Sequence, residues 1–492
     1  MALISVNCFL LIGITLIVYY LLPLKYRWCA LLAASVTFYS FFGAEVLAIV
    51  AVIAVFSYYM AIMIENGKKK QKGKLILTVS IIALLAVLAF VKIGGRLASF
   101  RSLIIVPVGI SYFTLSIIGY LLEVYWNRMP AEKNLFHFLT FVFFFPKIIQ
   151  GPISRYKYLG QQLKAGNRFS YTQVCYGIQL MLWGIFKKLV LADRLSVFMY
   201  GVYYDVYSYA EHGLILLLAM FASAFQLYFD FSGYTDIARG ISQMFGIQLE
   251  QNFNHPFFSR SAAGFWQRWH MSLSSWFKDY LFLPISRSSI VKNVSKAMGS
   301  RYGAAARKKT MIIFSTAAVW LATGLWHGTG INYIVWGMYW GGIIIASELL
   351  ESTFEKSKRL LHIKAESPFW MMFQIFRTFI IFTIGKLISA QNTLYDVKLI
   401  LSGILLNTHF QDIGLVSNIM LHRADYVVLF IGMITVFVIS LLQEKGIRIR
   451  ESISHWHAVP RWLFYSFSVS VVLLTGLYGK GYDVSTFAYQ FF

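Results

Sequence analysis

The sequence predicts an all-α, polytopic membrane protein. Of its 492 residues, 58% are hydrophobic and 13% are charged, which is about half of the charged share of a typical soluble domain. Apolar runs of about 18 to 22 residues recur along the chain, and each run is long enough to cross a bilayer as a helix. Composition and run length therefore both indicate a chain that enters the membrane many times.

The predicted architecture is a bundle of eleven or twelve transmembrane helices. The N-terminal apolar run lacks the basic segment and the small-residue cleavage site of a signal peptide, so we expect it to be retained as the first helix. The apolar runs place the spans at roughly 3–22, 28–43, 46–64, 75–92, 104–126, 172–192, 212–229, 311–326, 331–350, 369–389, 426–443 and 461–478.

The net charge of +23 is explained by the positive-inside rule, which places basic residues in cytoplasmic loops. With the N-terminus outside, the basic segments that fall on the cytoplasmic side are 67–74, 154–168, 287–309, 355–364 and 444–450. No base-reading motif accompanies these segments, so we predict the lipid bilayer as a partner and exclude nucleic acid. We find no internal repeat and no soluble domain, and the sequence therefore predicts one membrane-embedded domain over 1–492.

The stretch 230–287 mixes apolar residues with many polar ones. Polar backbone at membrane depth is tolerated only when it is buried in protein or lines a wet cavity, so we expect re-entrant or tilted segments around an internal chamber. Asp230 and Asp236 lie six positions apart, about 120° from facing one another on a helix. Two interpretations stay open for them: helix-capping residues at the cytoplasmic edge, or polar residues that line the chamber.

His327 lies in the apolar stretch "TGLWHGTGINYIVWG", between Trp326 and Gly328. An ionisable group inside a membrane is a functional hypothesis by default, and the flanking glycines permit a broken helix or a close approach. The alternative interpretation is a core histidine that is hydrogen-bonded to a backbone carbonyl at a junction of small residues.

His270 lies in "FWQRWHMSLSSWFKDYLFLP", which spans 265–284. As one helix, this segment carries its tryptophans on a single stripe that His270 borders, while Arg268 lies elsewhere. The alternative interpretation is an amphipathic helix at the membrane surface, in which His270 is one more amphipathic aromatic residue.

Other chemistries lack their motifs. The chain contains no Gly-x-Ser-x-Gly elbow, phosphate-binding loop, dinucleotide fingerprint or His-Glu-x-x-His motif. A zinc site at His270 and His327 lacks a recognisable third ligand, and the three cysteines show no metal spacing. We therefore predict no metal and no permanently bound cofactor, and the two histidines suit proton transfer.

The ordered motifs resemble those of the membrane-bound O-acyltransferase (MBOAT) family, in particular its bacterial branch that O-acetylates alginate and other cell-surface polymers. The resemblance spans nearly the whole chain. Besides the two histidine motifs, it rests on "PVGISYFTLSIIGYLLEVY" at 107–125, "FFFPKIIQGPISRY" at 143–156, "DFSGYTDIARG" at 230–240 and "FGIQLEQNFNHPF" at 245–257.

The resemblance implies a function and a site. His327 would be the catalytic histidine and His270 the second active-site residue, in a catalytic core at about 105–345 around a funnel through a bacterial cytoplasmic membrane. The acyl donor would be acetyl-CoA from the cytoplasm, the ultimate acceptor a cell-surface polysaccharide, and the partner an exported SGNH-type acetyltransferase. We expect a surrounding shell of Asp230, Asp236, Arg268 and Trp326.

The mechanism that we predict is activation of a hydroxyl by His327, because imidazole is a suitable base at neutral pH. His270 would orient the acyl group or stabilise the oxyanion, and basic residues at the cytoplasmic mouth would meet the phosphates of acetyl-CoA. A covalent acyl-histidine is the alternative route. Tyr489, near the C-terminus, would either relay an acyl group or anchor the chain at the interface.

Two other functions remain open on the sequence alone. One is D-alanylation of teichoic acid from a carrier protein, which is a reaction of the same enzyme class. The other is transport or flipping of a surface glycan or lipid, although many transporters carry internal repeats that this sequence lacks.

Overall fold

The structure is a computed structural model that describes residues 3–68, 72–94, 106–416, 419 and 421–478. Within these ranges the regular structure is helical and contains no β-strand. The prediction of an all-α fold is confirmed. The α-helices are numbered α1 to α23 in chain order.

The first nine helices come before a long central one. Polar N-caps begin several of them; for example, the Ser170 side chain accepts a hydrogen bond from Gln173 N at the start of α8. A π-helical segment, Phe186–Ala192, joins α8 to α9. The bounds are α1 Val6–Leu21, α2 Arg27–Ser40, α3 Ala44–Lys68, α4 Gly73–Gly94, α5 Ile110–Tyr125, α6 Leu135–Phe143, α7 Tyr156–Ala165, α8 Tyr171–Ile185 and α9 Asp193–Tyr203.

The remaining helices begin with α10, which is 32 residues long. A second π-helical segment, Lys278–Phe282, follows α12. The bounds are α10 Gly213–Met244, α11 Ala262–Trp266, α12 Met271–Phe277, α13 Leu283–Ser286, α14 Ser289–Tyr302, α15 Ala304–His327, α16 Ile331–Leu349, α17 Glu351–Leu360, α18 Pro368–Ala390, α19 Leu394–Leu406, α20 Ile413–Val416, α21 Arg423–Glu444, α22 Ile449–Ser454 and α23 Ala458–Thr475.

Eight helices in the described ranges are long and apolar enough to cross a membrane, or up to ten if each of two bent helix pairs counts as one span. The polytopic membrane class is thus confirmed, with fewer spans than the eleven or twelve predicted. The apolar runs at 3–22, 28–43 and 104–126 form helices of 16, 14 and 16 residues, about 24 Å or less in length. Such helices are shorter than a hydrocarbon core of about 30 Å.

The structure decides some of the expectations about the central stretch. Residues 230–244 are not re-entrant, because α10 continues through them to Met244, and the capping interpretation of Asp230 and Asp236 is wrong because both lie inside this helix. A tilted segment that lines an internal chamber stays a prediction. The segment 265–284 is not one helix. It breaks after α11 because His270 adopts a left-handed backbone conformation, with φ 45° and ψ 51°, that an α-helix cannot contain.

Internal contacts divide the chain into two compact units. The first comprises the described residues of Met1–Val190, Phe229–Gln251 and Lys445–Phe492, and the second those of Leu191–Tyr228 and Asn252–Glu444. The interpretation of the chain as one domain with a catalytic core near 105–345 stays a prediction.

In the first unit, α3 packs against its neighbours α2, α4, α5 and α6. Elsewhere in that unit, α8 and the C-terminal part of α10 approach at their glycines. A Cβ on Gly184 would lie 2.4 Å from the carbonyl oxygen of Gly233, and one on Gly177 would lie 2.6 Å from that of Gly240. Small residues permit this backbone contact between membrane helices.

In the second unit, α15 and α16 form a helical hairpin, against which α14 and α18 also pack. A Cβ on Gly324 would lie 2.5 Å from the carbonyl oxygen of Tyr333, and one on Gly337 would lie 2.5 Å from that of Trp320. The glycines therefore bring the two helices into backbone contact, and the short turn between them follows directly after His327.

Candidate active site

His327 is the last residue of α15, and its side chain is buried. The helix ends here because Gly328 is fully extended, with φ −177° and ψ 169°. The carbonyl oxygen of Thr323, one helical turn earlier in α15, lies 2.8 Å from the Nδ1 of His327.

This hydrogen bond fixes the tautomer of the His327 ring. A carbonyl oxygen only accepts, so Nδ1 must carry the proton and donate it. In the neutral ring, the basic lone pair is then on Nε2. The alternative interpretation of His327, as a core histidine at a helix junction, predicts the same bond to a backbone carbonyl. The same bond orients the ring and provides the tautomer that a general base requires.

Aromatic rings enclose His327. Its ring centroid lies 4.8 Å from that of Trp326 and 4.7 Å from that of Trp336. Trp336 in turn packs against Trp320 at 5.9 Å and against Trp266 at 5.9 Å between centroids. These rings come from α11, α15 and α16. They give the histidine an apolar surrounding, in which electrostatic interactions are stronger than in water.

His270 is also buried, with 2% of its surface exposed. Left-handed backbone is uncommon for a non-glycine residue and costs free energy unless the surroundings hold it. Asn252 holds the residues that follow: its carbonyl oxygen accepts from Met271 N at 3.0 Å, and its Oδ1 accepts from Ser272 N at 3.1 Å. Asn252 therefore fixes the turn that orients His270.

The structure brings His270, Trp326 and His327 together. The centroid of the His270 ring lies 6.4 Å from that of Trp326, and the Trp326 ring also contacts that of His327. Both imidazoles therefore border one indole ring, although 57 positions separate them in the sequence (327 − 270).

Arg268, a predicted member of the shell, forms an ion pair with Glu444 at 2.8 Å. The two side chains are 31% and 33% exposed, whereas both histidines are buried. The expectation that Arg268 supports the site stays a prediction.

The two aspartates of the predicted shell lie in the first unit. Asp230 pairs with Lys188 at 2.7 Å, and Asp236 pairs with Lys187 at 2.6 Å. Both lysines belong to the π-helical segment after α8, a geometry that is frequent at functional sites. The roles of Asp230 and Asp236 in an active-site shell stay predictions.

Several residues that contact the predicted site residues were not predicted from the sequence. Thr323, Trp336 and Asn252 position the histidines through contacts that no short motif encodes. Lys187 and Lys188 did carry a signal, because two adjacent cations inside the apolar span predicted at 172–192 are unusual. Tyr489 lies outside the described residues, and both interpretations of it remain open.

The fold and this site define a class: a polytopic helical membrane protein with two buried histidines around one indole ring. The protein-family model for the membrane-bound O-acyltransferases matches residues 31–389. The chain belongs to this family, and it is an acyltransferase. The resemblance found in the sequence motifs is thereby confirmed.

Three similar proteins have names that describe acyl transfer. The chain is 32% identical to a probable alginate O-acetylase of Azotobacter vinelandii, over 70% of this chain and 68% of that protein. It is 31% identical to a peptidoglycan O-acetyltransferase of Helicobacter pylori, over 63% of this chain and 62% of that protein. It is also 31% identical to a teichoic acid D-alanyltransferase of Bacillus subtilis, over 51% of this chain and 62% of that protein.

Proposed function

We propose that this acyltransferase moves an acetyl group from cytoplasmic acetyl-CoA across the bacterial cytoplasmic membrane, for O-acetylation of a cell-surface polysaccharide. The observation that carries the proposal is the buried His327, whose Nδ1 donates to a backbone carbonyl and whose Nε2 holds the basic lone pair. The relatives that match over the larger shares of this chain are named O-acetylases and O-acetyltransferases.

The proposed reaction is general-base catalysis. Nε2 of His327 takes the proton of an acceptor hydroxyl while the hydroxyl oxygen bonds to the thioester carbonyl carbon. The carbonyl electron pair moves to its oxygen and gives a tetrahedral oxyanion. As the carbonyl re-forms, the carbon–sulfur bond breaks, and the leaving thiolate takes the proton from the imidazolium. An ester and a free thiol result, and His327 returns to its neutral form.

His270 acts on the oxyanion in this proposal. Preorganised donors aimed at a developing oxyanion contribute large shares of catalysis in water-excluded sites. The turn held by Asn252 gives His270 a fixed orientation, which such a donor requires. A covalent route uses the same residues. In that route Nε2 of His327 attacks the thioester and the thiolate leaves; the hydroxyl then takes the acetyl group from Nε2, and its proton goes to the thiolate.

The acceptor side involves a second protein in this proposal. Final transfer to the polysaccharide outside the membrane is assigned to an exported SGNH-type acetyltransferase. The second candidate function is D-alanyl transfer to teichoic acid from a carrier protein, and it is supported by the teichoic acid D-alanyltransferase relative, which matches over a smaller share of the chain.

The test is transfer of radiolabelled acetyl groups from acetyl-CoA to surface polymer in membranes of the native host. Wild type is compared with His327→Ala and His270→Ala at equal protein levels. His457→Ala is the control, since His457 is an exposed histidine before α23. Parallel membranes receive carrier-bound radiolabelled D-alanine.

We expect His327→Ala to abolish labelling by acetyl-CoA and His457→Ala to leave it unchanged. Labelling from D-alanine alone would replace the acetyl proposal with the second candidate. Full labelling with His327→Ala would contradict both acyl-transfer proposals and would favour transport.

A further inference from the structure

A cluster of charged side chains in the first unit holds more positive than negative charge. It lies where the π-helical segment after α8, the C-terminal part of α10 and the start of α22 meet. Four of its six members are cations and two are carboxylates: Lys187, Lys188, Arg239, Arg450, Asp230 and Asp236.

Both carboxylates already have cationic partners. Asp230 is fully buried and pairs with Lys188 at 2.7 Å. Asp236 accepts from Lys187 at 2.6 Å and from Arg239 at 3.2 Å, so two cations share one carboxylate. The positive charge that the two carboxylates do not balance therefore lies at Arg239 and Arg450.

Arg450 has neutral hydrogen-bond partners in this cluster. Its guanidinium donates to the carbonyl oxygen of Tyr176 at 3.2 Å and to Oε1 of Gln243 at 3.1 Å, and it lies 5.4 Å from the Tyr176 ring centroid. Burial, together with the positive charge of Arg239, lowers the pKa of Arg450. Gln243, the α10 residue that Arg450 contacts, lies four positions after Arg239 (243 − 239), so both guanidinium groups lie beside the same turn of α10.

The surplus charge lies on the more accessible side of the cluster. The Arg239 side chain is 23% exposed, whereas those of Lys187 and Lys188 are 4% and 3% exposed. Arg450 is the last residue of the basic segment 444–450, which follows α21, and α8 begins after the basic segment 154–168. The sequence predicts both of these segments to be cytoplasmic.

We propose that Arg239 and Arg450 bind a phosphate group of the acyl donor. Guanidinium groups match the geometry of phosphate through paired N–H donors, and an anion between the two arginines would relieve their repulsion. The inference rests on the proposed function in assigning the phosphate to the nucleotide part of acetyl-CoA. An anionic phospholipid headgroup presents the same chemistry, so the experiment must distinguish the two sources.

The experiment compares two acetyl donors. Acetyl-CoA carries phosphates, whereas S-acetylpantetheine carries the same thioester without them. KM is measured for both donors with wild type, Arg239→Gln and Arg450→Gln. Arg448→Gln is the control, because the Arg448 side chain is 78% exposed and pairs with Glu451. We expect each of the first two substitutions to raise KM for acetyl-CoA at least tenfold and to leave KM for S-acetylpantetheine unchanged.

Other outcomes have defined meanings. An equal rise of KM for both donors would overturn the proposal, because it would indicate a structural effect. If both KM values stay constant, thermal unfolding in phosphatidylglycerol and phosphatidylcholine nanodiscs decides. Stabilisation by phosphatidylglycerol that Arg450→Gln removes would keep the phosphate site and assign it to a lipid, and no such stabilisation would overturn the site.

Direct binding of radiolabelled coenzyme A separates this inference from the proposed function. If wild-type protein transfers no acetyl group but binds coenzyme A at least tenfold more tightly than Arg450→Gln does, the proposed function fails and the phosphate site stands. If wild type binds no coenzyme A, the assignment of the phosphate site to the acyl donor is overturned, whatever the transfer assay gives.

Discussion

The Nδ1 of His327 lies 2.8 Å from the carbonyl oxygen of Thr323, one helical turn earlier in α15. The bond gives the buried Nδ1 a hydrogen-bond partner and holds the ring in one tautomer. One interaction therefore contributes to both stability and proposed chemistry, and substitutions can separate the two.

His327→Asn and His327→Leu separate the hydrogen bond from the base. The side-chain amide nitrogen of asparagine is attached to the same carbon position as Nδ1, so it can still donate to Thr323, whereas leucine cannot. We expect the leucine variant to be less stable than the asparagine variant by about 1 kcal/mol. Thermal unfolding in detergent measures this difference, and equal stability would show that the bond contributes nothing.

Two substitutions of His270 separate the effect of its backbone conformation from that of its side-chain chemistry. Asparagine tolerates left-handed backbone better than alanine does. We expect His270→Asn to unfold close to the wild-type temperature and His270→Ala to lose about 1 kcal/mol. Both variants should lose at least about 100-fold in transfer rate if His270 stabilises the oxyanion. Wild-type turnover by His270→Asn would contradict that role.

The buried pair of Lys188 and Asp230 tests whether Asp230 acts in the reaction. Removal of one partner leaves a buried charge, so Lys188→Met should cost about 3–5 kcal/mol. The double variant Lys188→Met/Asp230→Leu should recover most of that loss, which thermal unfolding measures. If Asp230 belongs to the active-site shell, the double variant regains stability but not acetyl transfer. Recovery of both would mean that the pair is structural.

Glu132 makes the stability of the fold depend on pH in the acidic range. Burial alone would raise its pKa, but hydrogen bonds from Lys164, Tyr156 and Asn134 N hold the pKa below its ordinary value of 4.5. A depressed pKa contributes stability that is fully present above the unfolded value and is lost as pH falls through the folded one. The loss should therefore begin near pH 4.5.

Glu132→Gln measures this contribution. We expect it to lower the free energy of unfolding by about 2 kcal/mol at pH 7, and the gap from wild type should shrink as the pH falls below 4.5. Glu451→Gln is the control, because that side chain is 50% exposed. A gap that stays constant with acid would contradict the assignment.

The class of fold was predictable because run length and composition report directly on the membrane. Run length does not report where a helix ends, so the short α1, α2 and α5 were counted as spans. The polar residues at 230–244 were mistaken for a break because their partners are distant in sequence. Asp230 and Asp236 can remain within a helix since Lys188 and Lys187 neutralise them.

The two histidines were predictable because each stands among aromatic and small residues in an apolar setting. That Trp326 lies beside both of them follows only from tertiary packing. The break before α12 was missed because no glycine or proline marks it. A histidine adopts the left-handed conformation there, and Asn252, 18 positions earlier (270 − 252), holds the chain that follows.

The central claim, that His327 is the base for acyl transfer, is tested most directly with purified protein. The measurement is the release of free coenzyme A from acetyl-CoA in detergent, in the presence of the exported SGNH-type partner and a polysaccharide acceptor. Wild type is compared with His327→Asn, which keeps the bond to Thr323, and with His457→Ala. We predict a loss of at least about 100-fold in His327→Asn alone. A wild-type rate in His327→Asn, at equal folded concentration, would contradict the claim.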